Sequence, residues 1–440
     1  MWRALAILTM LANPLAAQEF FTLKGHGGPI MGITVSPSGQ IATASFDNSV
    51  GVWADDAPVW LEGHRAAVNT VEFLSRDILA SAGDDNNLWL WFLPQKKGYQ
   101  VIGHTAKIMD IAVAPDGETI ATASWDAMIG LSSLKDIQSA PHGTQDLQHR
   151  LSGHKSGVNS LAFSQDGERL YSASVDGTIR EWRYSQENPT SRVIVKHGFG
   201  VNELIVNDAE GWLAYGATDG GTRMIDLETG EQIADFTLDR RPILSLAYDP
   251  HSKRLAVGDG QGFIMMIDTA ALSITHDFRA TARGPIWALA FSPDGQNIHA
   301  GGIEDIVYSW PVDTLDKHGP MSGETRSFLE DPDTLPNGER QFKRKCSICH
   351  TLTEGSARKA GPSLYGLYGR RAGTVQDYTY SETLNSSEII WSPETINALF
   401  DEGPDHYIPG TKMPMQRITQ QSDRDDLIDY LRAATAKQEN

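Results

Sequence analysis

Cys346-Ser347-Ile348-Cys349-His350 is the stretch that decides how this chain is organised. Two thiols three positions apart, followed at once by a histidine, have the spacing of a covalent haem attachment site. The chemistry needs that spacing. Two such thiols can add to the two vinyl groups on one edge of a haem, and the adjacent imidazole then reaches the iron from one face. The sequence has no other cysteine, so no disulfide framework competes for the pair. A pattern this short also arises as a surface Cys-x-x-Cys beside an unrelated histidine, and the rest of the chain must decide between the two.

The beginning of the chain favours the first reading. Met1-Trp2-Arg3 carries one positive charge, Ala4 to Ala12 is apolar, and Leu15-Ala16-Ala17 offers small residues before Gln18. This is the layout of a secretory signal peptide. The apolar run is too short to span a bilayer, which takes roughly 20 residues. The expectation is a signal peptide at 1–17, a mature chain without a transmembrane segment, and a periplasmic location. Covalent haem attachment in bacteria takes place on that side of the membrane.

At 440 residues the chain has room for two to three domains, and 40% apolar residues support packed cores. The formal net charge is −19 and is unevenly spread. Residues 336–440 hold 13 basic and 14 acidic side chains, which leaves 24 basic and 42 acidic in the remainder. So acidic a balance argues against nucleic acid as a partner and against anionic lipid. Opposite local potentials are expected either to hold the two parts together or to steer a partner with a basic patch onto the acidic part.

The acidic part is a repeat array. Gly-His pairs stand at Gly25-His26, Gly63-His64, Gly103-His104 and Gly153-His154, with Lys196-His197 as a weaker fifth. An aspartate follows each after 21 or 22 residues: Asp47, Asp85, Asp126, Asp176 and Asp219. Six residues later come Trp53, Trp91 and Trp182, replaced in the other two units by Ser132 and Ile225. Alternating strands such as Ile41-Ala42-Thr43-Ala44-Ser45 lie between turn clusters such as Ser36-Pro37-Ser38-Gly39, an all-β pattern.

A period of about 40 residues with this layout resembles the blades of a WD-repeat propeller. Two degenerate units, ending near Ile267 and Trp310, bring the count to seven blades across 18–315. In that family the His, Asp, Ser/Thr and Trp form a buried network inside one blade, so the histidines are expected to be structural rather than metal ligands. His142 and His149 lie in a long connection around Lys135 to Arg150. Glu19 to Lys24 reads as a strand without a blade of its own, and the last unit lacks a fourth strand. The expectation is that the first strand closes the ring and removes the exposed edge.

Residues 316–335 read as a Pro/Gly/Asp-rich linker, and 336–440 follow another grammar. Gly338 to Arg344 reads as a helix leading into Cys346. Asp423 to Ala434 reads as an amphipathic helix with Ser422 as N-cap. The intervening chain is rich in Gly, Pro and aromatics, so a domain this small needs another centre for its core, and a haem provides one.

This region resembles the class I cytochromes c of the mitochondrial and bacterial cytochrome c2 type. The matching strings run from Cys346 through Thr351, Gly361 to Arg370, Tyr378-Thr379-Tyr380, Trp391, Tyr407 to Met413, and Asp425 to Leu431. The expected fold is therefore a seven-bladed all-β propeller followed by an all-α class I cytochrome c domain. The resemblance implies one covalent haem c on Cys346 and Cys349, with His350 and Met413 as axial iron ligands. It implies that the Pro362 carbonyl accepts the His350 ring N–H. It places Arg370, Tyr380, Trp391 and Thr411 at the haem propionates, and packs Phe342 with Leu427 and Tyr430.

The chain departs from the family near the methionine. Leu384 stands where a polar residue is common, and Leu399 or Phe400 where a tyrosine is. Met415 replaces an aromatic, and Asp405 and His406 stand where lysines often do, although Lys345 and Lys412 remain. The expected function is one-electron transfer without catalysis, with the propeller as a protein-docking platform for a periplasmic or membrane-bound redox protein. Two other readings stand beside it. One is an oxidoreductase like the nitrite reductases that join a cytochrome c to a propeller, although those have eight blades and the opposite domain order. The other is a haem-based redox-sensing scaffold.

Overall fold

In successive repeats the residue after the recurring aspartate must turn the chain sharply. Asn48, Asn86, Ala127, Gly177 and Gly220 all take positive φ there, which closes a tight hairpin between the second and third strands of each unit. The computed structural model of the chain describes residues 19–54, 57–140, 143–147, 149–186, 188–322 and 334–436. The signal peptide expected at 1–17 lies outside these residues. No described helix is long and apolar enough to cross a membrane.

Among the described residues seven sheets follow one another, six of four antiparallel strands and one that carries a fifth strand beside its four. The first blade shows the pattern, with strands Ile30–Val35, Ile41–Ser45, Ser49–Ala54 and Ala57–Glu62. The second strand is buried at every residue. Small side chains there let neighbouring blades meet face to face. The close approaches repeat around the ring: a Cβ on Gly216, Gly258 or Gly301 would fall 2.3–2.7 Å from an isoleucine of the next blade, Ile243, Ile286 and Ile30 respectively. The last of these joins blade seven to blade one.

The ring closes as the sequence suggests. Strand Phe21–Lys24 pairs antiparallel with Ile306–Pro311 in the sheet of blade seven, Phe21 opposite Ser309 and Lys24 opposite Ile306. Leu23 is buried there with Ile30, Ile41, Trp53 and Val307.

Each complete unit is tied by a chain of hydrogen bonds. In blade one the Trp53 indole N–H donates to Thr43 Oγ1 at 2.9 Å, and that hydroxyl reaches His26 Nε2 at 2.7 Å. His26 Nδ1 lies 2.9 Å from Asp47. Blades two and four repeat this with Trp91–Ser81–His64–Asp85 and Trp182–Ser172–His154–Asp176. Burial alone would push the Asp47 carboxyl up, but the His26 hydrogen bond and charge outweigh it and hold it below the usual carboxylate range. Blade three keeps His104 between Thr122 and Asp126 without a tryptophan. In blade five the ring is turned over, with His197 Nε2 on Asp219 at 2.9 Å and Nδ1 facing the Tyr215 hydroxyl at 3.3 Å. Every one of these histidines bonds inside its own blade.

Two sequence expectations are corrected here. The connection around 135–150 is not an open loop. Helix α1 (Leu134–Gln138) buries Leu134 and Ile137, Thr144–Asp146 adds a fifth, parallel strand to blade two, and His149–Ser152 is the outer strand of blade three. His149 is exposed in that strand, and His142 lies outside the described residues. Nor does the propeller stop at 315. A 3-10 helix spans Val312–Lys317, and Met321 exchanges backbone hydrogen bonds with Ala280 and Ala282. Met321 fills apolar space beside Phe278 and Trp310, which holds the chain there.

The C-terminal domain is helical: α2 (Asn337–Lys345), α3 (Glu382–Asn385), α4 (Pro393–Glu402), α5 (Pro404–Tyr407) and α6 (Gln421–Ala434). Helices α2 and α6 cross so closely that a Cβ on Gly338 would lie 2.1 Å from the Asp426 carbonyl oxygen. Phe342 packs on Tyr430 with ring centroids 5.7 Å apart, beside Leu427. Helix α6 begins earlier than its pattern suggests. Gln420 is the N-cap, without a side-chain cap bond, and Ser422 lies inside the first turn. The Gln421 amide bonds to Asn397 and Asp425 and pulls the extra residues into the helix.

Candidate functional site

Helix α2 ends by delivering Cys346, whose backbone N–H donates to Phe342 O at 2.8 Å, and the next turn brings the His350 N–H onto the Cys346 carbonyl at 2.9 Å. Both thiols and the imidazole are thereby held on one wall of a cavity with about 1420 Å³ of space, counting the open solvent at its mouth. Burial pushes the Cys346 thiol up to about 12 and the Cys349 thiol to about 11. No disulfide joins the two sulfurs.

His350 is fixed from two sides. Its Nδ1 lies 2.7 Å from the Pro362 carbonyl oxygen, an acceptor, so Nδ1 carries the proton and Nε2 is left with its lone pair. Its ring also lies against Gly361, where a Cβ would fall 2.4 Å from Cε1. Burial holds the imidazole below its usual pKa, against the pull of the Pro362 hydrogen bond. A neutral, oriented imidazole is what metal ligation needs.

All nine residues expected at the site line this one cavity: Cys346, Cys349, His350, Pro362, Arg370, Tyr380, Trp391, Thr411 and Met413. Arg370 donates to the carbonyls of Ser363 and Tyr365 at 2.8 and 2.6 Å, and burial lowers its pKa. The Thr411 hydroxyl accepts the backbone N–H of Met413 at 3.2 Å, anchoring the methionine loop. Met415, two residues on, does not line the cavity. It is 51% exposed, and its sulfur sits against Gly403. His406 is exposed beside Asp405. Leu384, Leu399 and Phe400 also line the cavity, so the replacements noted in the sequence make its walls apolar.

The site has members that sequence reading missed. Gln416 lines the cavity, and its buried Oε1 has no hydrogen-bond partner. Phe46, Asn48, Arg65, Ala66, Ala67 and Asp84, all from propeller blades one and two, line its mouth with Lys345 and Lys412. Burial lowers the Lys412 ammonium, and the Arg65 charge adds to that effect. Apolar walls, two buried thiols that no disulfide joins and an oriented imidazole fit a large, flat, covalently held haem.

The comparisons agree domain by domain. The family model for the WD domain, G-beta repeat, matches residues 17–54, 59–91, 95–131, 145–183 and 273–310. Blades five and six escape it, yet they fold like the others. The cytochrome c model matches 335–435. Among similar proteins, cytochrome c of Sesamum indicum is 43% identical over 107 residues, 24% of this chain and 94% of that protein. Cytochrome c of Theileria parva is 44% identical over 100 residues, 23% of this chain and 85% of that protein. That of Ginkgo biloba is 40% identical over 113 residues, 26% and 99% respectively.

A seven-bladed WD40 propeller followed by a helical haem domain is the class that fold and site define. Through its C-terminal quarter the chain belongs to the cytochrome c family, and it carries covalently bound haem c. Members of that family are electron carriers rather than enzymes, and WD40 propellers are protein-interaction modules.

Proposed function

We propose that this is an exported electron-transfer protein of the periplasm, not an enzyme, whose propeller engages a periplasmic or membrane-bound redox protein. The observation that carries the reading is the 2.7 Å contact of His350 Nδ1 with Pro362 O, in a cavity that Met413 and both cysteines also line. Haem c, when bound, would supply one reversible electron. This chain's residues set the conditions for that. Cys346 and Cys349 hold the group by thioethers. His350 and Met413 would hold the iron, and an imidazole paired with a thioether would favour a raised potential. Arg370, Tyr380, Trp391 and Thr411, which line the same cavity, would receive the propionates. The apolar walls at Leu384, Leu399 and Phe400 would keep water from the site.

The test is redox titration of the purified full chain with affinity capture from native periplasm, in reduced and oxidised states. The reading requires a reversible one-electron wave and a redox protein among the captured partners. Turnover of nitrite or peroxide at the haem would replace it with a catalytic one.

A further inference from the structure

Three blades carry a side chain immediately after the Gly-His pair: Arg65, Thr105 and Lys155. Blade one has Gly27 there. The backbone does the same work at all four positions. Each N–H donates to the repeat aspartate, at 2.8 Å from Gly27 to Asp47, 3.0 Å from Arg65 to Asp85, 3.1 Å from Thr105 to Asp126 and 2.8 Å from Lys155 to Asp176. The propeller fold therefore does not require glycine in blade one. The haem domain does. A Cβ on Gly27 would lie 2.3 Å from the Arg358 carbonyl oxygen and 2.5 Å from that of Ala357.

Around this close approach the two domains grip each other. Arg358 donates to Glu62 at 3.0 Å, and its guanidinium lies 4.1 Å from the centroid of the Trp60 ring. Ala357 and Arg358 both take positive φ, 47° and 53°, a conformation side chains rarely adopt. The loop is thus bent so that its carbonyls meet the bare backbone at Gly27. The same approach sets Phe46, Arg65 and Asp84 across the mouth of the cavity that holds His350 and Met413.

We propose that propeller blades one and two form a cover over the open edge of the haem cleft, and that a protein partner exchanges electrons with the haem only when the Gly27–Arg358 contact opens. The inference rests on the electron-transfer reading above. Electron exchange falls steeply with separation, so a protein held off by the cover is slowed, while a small solute still enters the mouth. The contact is built to open. Among the described residues it includes a backbone touch, a partly exposed ion pair that salt screens, and a cation on an aromatic face.

The full-length, haem-loaded chain is compared with Gly27→Lys, which copies the residue of blade four, and with Glu62→Lys on the exposed side of the contact. Oxidation of the reduced protein by a soluble blue-copper protein, reduction by ascorbate, and small-angle X-ray scattering are measured on each. Gly27→Lys is expected to enlarge the scattering radius and to speed exchange with the copper protein about tenfold, which corresponds to about 1.4 kcal/mol of lost closure. Ascorbate reduction is expected to stay the same. Glu62→Lys should move both readouts in the same direction by less. Unchanged scattering and an unchanged protein rate in Gly27→Lys overturn the cover, and so does slower protein exchange. If ascorbate fails to reduce even the parent chain, the electron-transfer reading falls, while scattering still decides whether Gly27 seats the domain.

Discussion

Adding one methyl group at Gly361 tests the histidine geometry more sharply than removing the histidine. Gly361 lies outside the left-handed region, so alanine suits its backbone. The new Cβ would sit 2.4 Å from His350 Cε1, 2.7 Å from Nδ1 and 2.9 Å from Nε2. Ordinary contact begins near 3.4 Å, so the ring must retreat by about 1 Å, which takes the 2.7 Å bond to Pro362 O out of hydrogen-bond range. Losing such an outer partner typically weakens a metal–ligand bond about 10–100-fold, or about 1.4–2.7 kcal/mol. The thioethers do not depend on this bond, so haem content should be normal. Guanidinium titration followed in the Soret band should show the axial ligands lost earlier, by that free energy. The potential should rise, because an imidazole without its acceptor donates less to Fe(III). Normal haem content with an unchanged titration and an unchanged potential would refute the argument.

Met413→Ala should remove the weak long-wavelength band of methionine-ligated Fe(III) and open the iron to cyanide, while Met415→Ala should leave both as they were. The reverse pattern would move the ligand to Met415. Leu23→Ala should cost about 2–5 kcal/mol in urea unfolding of the propeller, because Leu23 is only 6% exposed in the closing strand. A change below 0.5 kcal/mol would mean that the strand does not hold the ring. Burial lowers the His299 imidazole to about 4. The fold keeps it neutral, so its contribution is complete above the unfolded value near 6.5 and is lost as pH falls from there towards 4, roughly 3 kcal/mol in all. His299→Phe should flatten the acid side of the stability curve, and parallel curves for parent and variant would contradict this.

The sequence carried the blade networks because their members recur at fixed intervals: Thr43 and Trp53 sit on adjacent strands of one sheet, with His26 before its first strand and Asp47 in the turn between its second and third. It carried the haem wall for the same reason, since Cys346, Cys349 and His350 share one turn of chain. Blade five was harder to read because its ring is turned over and Tyr215 takes the place of a serine or threonine. The strand at Thr144–Asp146 was invisible, being three residues long and paired in parallel with the preceding blade. The mouth of the cavity could not be read at all. Glu62 and Arg358 lie 296 residues apart, and no period links them. The one available signal was an omission, Gly27 where sister blades carry Arg65, Thr105 and Lys155.

The pairing of Phe21 with Ser309 also sets a timetable for folding. The first strand has to wait for the last blade before it finds its neighbour, with almost the whole propeller between them. Loop closure over such a span is slow compared with hairpin formation inside a blade. Until then blade seven has only three strands and presents an unpaired edge, open to strands of other chains. A polypeptide emerging N-terminus first meets this hazard at every molecule made. Any helper that shelters the product of its synthesis would be needed most in the interval between the exit of Val307 and the docking of Leu23 beside it.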